Sequence, residues 1–219
     1  MSIFTGARSM QQTFGLFPIP LTRVQGAINA SLIQRLKDAA LASNKSTNVA
    51  THLLSHTRML DPGQDALFAE LAGRIQPELV QFGRLLFGET LNWRIKEMWM
   101  HVLERGGSQF MHTHANSFIS AILYLTRPDP SARTIFHKSL GSAEFVFKND
   151  GPGVEIGEFN GDKWFLPNAE PGDLILYPSH LLHGVPPNQG GRRISIALNA
   201  IPDRLNSQGY RIAFSCNKH

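Results

Sequence analysis

Apolar positions follow a helical period in the first ninety residues of this chain and a strand period after them. Leu32, Leu36 and Ala39/Ala40 recur at helical spacing behind Asn29, a residue type that caps helices, so a helix is expected from Asn29 to about Ser43. A second helical pattern runs from Gln64 to Phe87 through Leu67, Leu71, Ile75, Leu79, Phe82 and Leu86. Pro77 inside it predicts a second helix start or a kink. Residues 15–24 read as an edge strand, because Pro18 and Pro20 cannot donate ladder hydrogen bonds. Asn44–Thr51 reads as a polar loop and Asp61-Pro62-Gly63 as a turn.

After Gly88 the runs shorten. Strands are expected at Trp93–Leu103, Ser117–Leu125, Phe145–Phe147, Trp164–Leu166, Asp173–Tyr177 and Arg193–Leu198. Glycine and proline turns separate them, at Gly151-Pro152-Gly153, Pro171-Gly172-Asp173 and Pro186-Pro187-Asn188. A helical front followed by many short strands predicts one α+β domain over residues 1–219, with a helical part (1–90) packed on one face of a sandwich or jelly roll (91–215). A helical stripe left exposed would instead mark a homodimer surface. Trp99 and Trp164 are expected to be core aromatics.

The formal net charge is +4, and the Lys and Arg residues are scattered, with no run longer than Arg192-Arg193. That argues against nucleic acid as a partner. No stretch approaches the ~20 apolar residues of a membrane span, and no secretory signal is visible. Cys216 is the single cysteine, so no internal disulfide can form; a cytoplasmic location is expected, and the thiol is read as incidental.

The candidate chemistry lies in the histidines. In a strand, residues i and i+2 share a face, so His112 and His114 in His112-Thr113-His114 would present two imidazoles to one ion. Neutral imidazole suits iron, zinc, copper and nickel. His183, at the end of Tyr177-Pro178-Ser179-His180-Leu181-Leu182-His183, is the candidate third ligand; His180 competes for that place, and His101 could face the same pocket. Three protein ligands leave positions open for substrate and dioxygen. His52, His56, His137 and His219 lie in surface-like contexts and receive no role. H-x-H pairs also occur by chance, so the pair gains its weight from the later histidine and the basic residue and hydroxyl beyond it. Arg193 lies ten positions after His183, with Ser195 on the same strand face. A guanidinium binds carboxylate through two parallel bonds, and a hydroxyl can add a third. Ser195, Ala197 and Asn199 share the parity of Arg193, whereas Arg192 falls in phase with Ile194, Ile196 and Leu198.

With these residues the sequence resembles the 2-oxoglutarate/Fe(II)-dependent dioxygenase superfamily, and within it a bacterial and phage subgroup of 2-oxoglutarate-Fe(II) oxygenases. The segments that carry the likeness are His112-Thr113-His114-Ala115-Asn116-Ser117, Leu123-Tyr124-Leu125, Pro171-Gly172-Asp173-Leu174-Ile175-Leu176-Tyr177-Pro178-Ser179, His183-Gly184-Val185-Pro186-Pro187-Asn188 and Arg193-Ile194-Ser195-Ile196-Ala197-Leu198-Asn199. It is good over residues 93–125 and 165–200. The resemblance implies a double-stranded β-helix fold, Fe(II) as metal and 2-oxoglutarate as co-substrate. It makes His112 the first ligand, His183 the last, and Arg193 with Ser195 the anchor of the distal carboxylate. Asn116 and Tyr124, read in phase with the H-x-H pair, could reach the keto acid or the substrate. The chain departs from the family at His114, where a carboxylate is expected. The implied activity is hydroxylation of a small-molecule or peptide substrate by O2, with conversion of the keto acid to succinate and CO2. Two rival readings use the same histidines. One is a cupin-like metalloenzyme without 2-oxoglutarate, favoured by three-histidine ligation and opposed by Arg193-Ile194-Ser195. The other is a non-enzymatic jelly-roll binding module.

Overall fold

Both expected helices form, and their ends are set by capping. The computed structural model describes residues 15–43, 45–48, 51–57, 59–138, 152–158 and 160–215. After an edge strand β1 (Thr22–Val24), helix α1 (Ala30–Ala42) starts where the Asn29 side chain accepts from Leu32 N, and it ends at Ser43. Two strands, β2 (Lys45–Asn48) and β3 (Thr51–Thr57), precede helix α2 (Ala66–Phe87). Asp65 caps α2 by accepting from Leu67 N, and Gly88 closes it in the left-handed conformation that glycine adopts without a Cβ penalty. Pro77 neither starts nor ends a helix: α2 runs through it. Pro77 and Gly73, four residues before it, both lie on the exposed face, where water can take up the carbonyl that proline leaves unpaired.

The remaining strands are β4 (Trp93–Leu103), β5 (Gln109–His112), β6 (Ile119–Tyr124), β7 (Ile135–His137), β8 (Lys163–Phe165), β9 (Leu174–Pro178), β10 (Leu182–Val185), β11 (Arg193–Pro202), β12 (Arg204–Ser207) and β13 (Tyr210–Ala213), with a short 3-10 turn at Pro130–Ala132. A seven-stranded sheet has the order β1-β9-β6-β11-β4-β3-β2, and a four-stranded sheet the order β5-β10-β7-β8. All the pairings are antiparallel. The expected fold class, α+β with a jelly-roll core and helices on one face, is what forms.

Strand alternation divides the large sheet into two different faces. Met98, Met100 and Val102 of β4, Ala121 and Leu123 of β6, Leu174 and Leu176 of β9, and Ile194, Ile196 and Leu198 of β11 pack under the helices. There they meet Leu32, Leu36 and Ala40 of α1 and Leu71, Ile75, Leu79 and Phe82 of α2. The helical stripes are thus buried within the chain and give no argument for a homodimer. Gly83 marks the tightest approach, since a Cβ there would fall 2.2 Å from Trp93 Nε1. The opposite face carries Ile122, Tyr124, Ile175 and Tyr177, which join Phe136 of β7 in a second core between the sheets. The polar residues of the candidate site belong to this inner face.

Several expectations shift. Asn44–Thr51 reads as a loop, but Lys45–Asn48 is an outer strand paired to β3. Its polar sequence carries no strand pattern, and only the pairing to β3 makes it one. In residues 15–24 only Thr22–Val24 pairs, although at the expected sheet edge. His56 and His137 lie on strands rather than loops. Trp164 is 47% exposed on β8 and is not a core residue. Phe145–Phe147, Gly151, Cys216 and His219 lie outside the described residues.

Candidate metal centre and co-substrate pocket

The small sheet brings the histidines together. In the antiparallel β5–β10 pair, His112 stands directly opposite His183, although seventy-one residues separate them in sequence. Gly184 permits this pairing, because a Cβ there would lie 2.8 Å from both Gln109 O and Met111 Sδ. His114 lies two residues beyond the end of β5, where its backbone N donates to Ser179 O. Its approach therefore comes from the link after the strand and not from strand alternation. Ring centroids are 4.3 Å apart for His112 and His183, 5.0 Å for His112 and His114, and 5.1 Å for His114 and His183. One nitrogen from each ring lies within 4.8 Å of those of the others, and among the described residues this is the grouping suited to a metal ion. His180 is exposed and outside it.

Two of the rings are prepared for ligation. His112 Nδ1 lies 2.8 Å from Phe110 O, and His183 Nδ1 2.8 Å from Leu181 O. A carbonyl only accepts, so Nδ1 carries the proton and Nε2 the lone pair in each. Burial, reinforced by the neighbouring His112, lowers the His183 pKa to about 3. Burial and His112 lower that of His114 to about 4, against the opposing pull of Glu97. Neutral imidazoles are the form a metal needs. His114 faces a different neighbour: its Nδ1 is 3.3 Å from Asn199 Nδ2, which also donates to Glu97 Oε2 at 2.9 Å. The carboxylate that the family motif would place in the triad is absent from it, and Glu97 stands one amide behind.

Arg193 occupies the inner face of β11, buried at 3% exposure. Nη1 donates to Ser195 Oγ at 3.0 Å, and Nη2 to Tyr124 Oη and Thr134 Oγ1, each at 3.3 Å. The guanidinium carbon lies 4.9 Å from the Tyr124 ring centroid. These partners are all neutral hydroxyls, and Nε has none. A buried cation without an anion is costly, so the pocket suits an anionic ligand. Arg192 precedes the strand and pairs with Glu104 at the surface.

One cavity connects the two features. Its walls include His112, His114, His183, Arg193, Ser195, Thr134 and Tyr177, with Leu54, Ile122 and Val185 among the apolar residues. The space within is about 30 Å³, so a dicarboxylate enters only as side chains give way. His101 lies opposite Ser195 in the β4–β11 register and lines the same cavity, as the parity allowed. It is not part of the triad. Trp99 Nε1 donates to its Nε2 at 2.6 Å, and burial with the nearby Arg193 charge lowers its pKa to about 3. Trp99 also lines this cavity, so it is a site residue as well as a packing one.

Tyr124 lies against the arginine, through a hydroxyl shared with Thr134 at 2.6 Å. Asn116 does not line this cavity. It sits in a turn with φ 56°, so it shares no strand with His112, and it lines a separate cavity of about 1040 Å³. Sequence reasoning passes over Thr134 and Tyr177. Nothing local marks Thr134. Tyr177 shares the parity of Ile175 on the inner face, a signal present in the sequence. Burial holds its hydroxyl well above the usual phenol range.

The comparisons agree with this geometry. Residues 97–199 match the family model described as "Putative 2OG-Fe(II) oxygenase". No curated protein matches the chain. Among solved structures, HygX from Streptomyces hygroscopicus with nickel and 2-oxoglutarate bound superposes with a TM-score of 0.61 at 14% identity, over 84% of this chain and 83% of that one. The α-ketoglutarate-dependent epimerase SnoN from nogalamycin biosynthesis gives 0.62 at 14% identity, over 85% and 80%. A 2OG-Fe(II) oxygenase family oxidoreductase from Burkholderia pseudomallei gives 0.57 at 14% identity, over 82% and 83%. At such identities the structural likeness speaks for the fold. The family match over residues 97–199 makes this part of the chain similar to the 2-oxoglutarate/Fe(II) oxygenases.

Proposed function

We propose that the protein is a 2-oxoglutarate-dependent hydroxylase of a small molecule, with iron held by His112, His114 and His183 and the keto acid anchored by Arg193. The observation that carries the proposal is the buried guanidinium of Arg193, partnered only by hydroxyls, in the same cavity as three convergent imidazoles. The donor set fits iron: two rings turn Nε2 to the site through backbone carbonyls on Nδ1, and burial holds His114 and His183 neutral. Bound there, iron supplies the oxygen-dependent decarboxylation of the keto acid to succinate and CO2, coupled to oxidation of a substrate C–H bond.

The chain's residues supply position and exclusion. Arg193 takes the distal carboxylate, and Ser195, Tyr124 and Thr134 hold the guanidinium plane against rotation. Leu54, Ile122 and Val185 keep water from the space between anchor and metal. The larger cavity, about 1040 Å³, is the place for the primary substrate. Its wall includes Glu97, which reaches His114 through Asn199, along with Asn116, Ile95, Phe118 and Phe214. HygX has been solved with hygromycin B bound, and that complex is the model for a small-molecule substrate here. No helix among the described residues is long and apolar enough to cross a membrane. The single cysteine makes a cytoplasmic location part of the proposal.

Anaerobic titration of the protein with Fe(II), with and without 2-oxoglutarate, tests the reading. A weak visible charge-transfer band is expected only when both are present. Tight Fe(II) binding with no band and no keto-acid affinity would favour the cupin-like alternative, which three-histidine ligation also suits. No metal binding at all would leave a jelly-roll binding module.

A further inference from the structure

The Tyr177 hydroxyl plays no part in the assignments above, yet it lies against the atom they most need. Its oxygen is 3.0 Å from His183 Nε2. His183 Nδ1 is committed as donor to Leu181 O, so Nε2 is the acceptor and Tyr177 the donor. The phenol is 1% exposed and packs edge-on against Phe136, at 5.1 Å, and His183, at 4.8 Å. A metal on His183 needs the same lone pair. Loading therefore takes the acceptor away from a hydroxyl that stays buried, and a buried donor without a partner is costly. Tyr177 lines the cavity that also holds Arg193, where the keto acid brings new acceptor oxygens.

We infer that Tyr177 couples the binding of metal to the binding of keto acid. In the metal-free protein it caps His183 Nε2, and with the metal seated it donates to an oxygen of the keto acid. This rests on His183 as ligand and 2-oxoglutarate as co-substrate. Metal alone is then held more weakly than three imidazoles would allow, and 2-oxoglutarate tightens it. By linkage the metal tightens the keto acid by the same factor.

The test is anaerobic calorimetric titration with Mn(II), with and without saturating 2-oxoglutarate, on the wild-type protein, Tyr177→Phe and His183→Ala. Tyr177→Phe keeps the ring and removes only the hydroxyl. It is expected to bind Mn(II) alone about two- to tenfold more tightly than wild type, the worth of one hydrogen bond, and to show a smaller tightening by 2-oxoglutarate. Thermal unfolding checks that the variant is folded. A second readout needs no variant: near-UV tyrosine absorption of the wild-type protein should change on adding Mn(II) alone. Of the three tyrosines, only Tyr177 touches a ligand nitrogen. An unchanged coupling factor in Tyr177→Phe, or a silent tyrosine spectrum on metal addition, overturns the inference. Wild-type protein that binds no Mn(II), or His183→Ala that binds it equally well, overturns the ligand assignment itself and takes the inference with it.

Discussion

Replacing Arg193 by Leu separates the co-substrate anchor from every other part of the site. The guanidinium is buried and spends its hydrogen bonds on Ser195, Tyr124 and Thr134, none of them charged. Removing one partner of a buried, hydrogen-bonded charge pair costs about 2–5 kcal/mol. At about 1.4 kcal/mol per tenfold, keto-acid affinity should fall by at least about 30-fold. The metal-free protein should not lose comparable stability, because the substitution also removes a buried charge that lacks an anion. Tyr124 and Thr134 keep their own contact at 2.6 Å. Metal affinity should be little changed, since Arg193 touches none of the three histidines in the hydrogen-bond pattern. Arg192→Leu is the control: it breaks a half-exposed ion pair with Glu104, worth ~0–1 kcal/mol, and should leave keto-acid affinity within about fivefold by that measure. The assay is calorimetric binding of 2-oxoglutarate to the Mn(II)-loaded proteins without oxygen. Equal, small losses in the two variants would refute the anchor and remove the main argument for this co-substrate.

His112→Ala and His183→Ala should abolish stoichiometric metal binding in equilibrium dialysis, while His180→Ala, at an exposed position, should not; the reverse result would move the third ligand. Asp173 tests the link between β1 and β9. Burial disfavours its charge, but bonds from Glu170 N, Gly26 N and Arg23 outweigh that and hold its pKa below the usual carboxylate range. Its contribution is therefore complete above the unfolded value of about 3.9 and disappears as pH falls through the lower folded value. Asp173→Asn should cost about 2 kcal/mol at neutral pH and flatten the acid limb of a stability–pH curve; an unchanged limb would contradict the account. Gly83→Ala should destabilise by about 1–3 kcal/mol in chemical denaturation, despite alanine's better helix propensity, because the new Cβ meets the Trp93 indole; a more stable variant would show that the contact relaxes freely.

The sequence by itself determined the parts of this protein governed by local rules. Asn29 caps α1 where a capping residue stands before an apolar stripe, and Trp93–Leu103 forms a strand with the expected ends. The parity of Arg193, Ser195, Ala197 and Asn199 against Ile194, Ile196 and Leu198 correctly sorts β11 into a pocket face and a helix-covered face, since a two-residue period leaves no other choice. The resemblance names His112 and His183 because their order and spacing survive without the fold, and the i, i+2 spacing adds His114 as a candidate. Tertiary structure decided what depends on distant partners. It placed His112 opposite His183 through a strand pairing that neither segment encodes alone, and it brought His114 in through a link rather than along a strand. It moved Asn116 out of the pocket by turning the chain just after His114. It made a strand of the polar Lys45–Asn48 segment, because pairing with β3 satisfies its backbone whatever its side chains. Only packing could show that Tyr177 donates to the nitrogen a metal would use, or that Thr134 stands behind the arginine. Those contacts cross the space between two sheets, where sequence separation carries no information about distance.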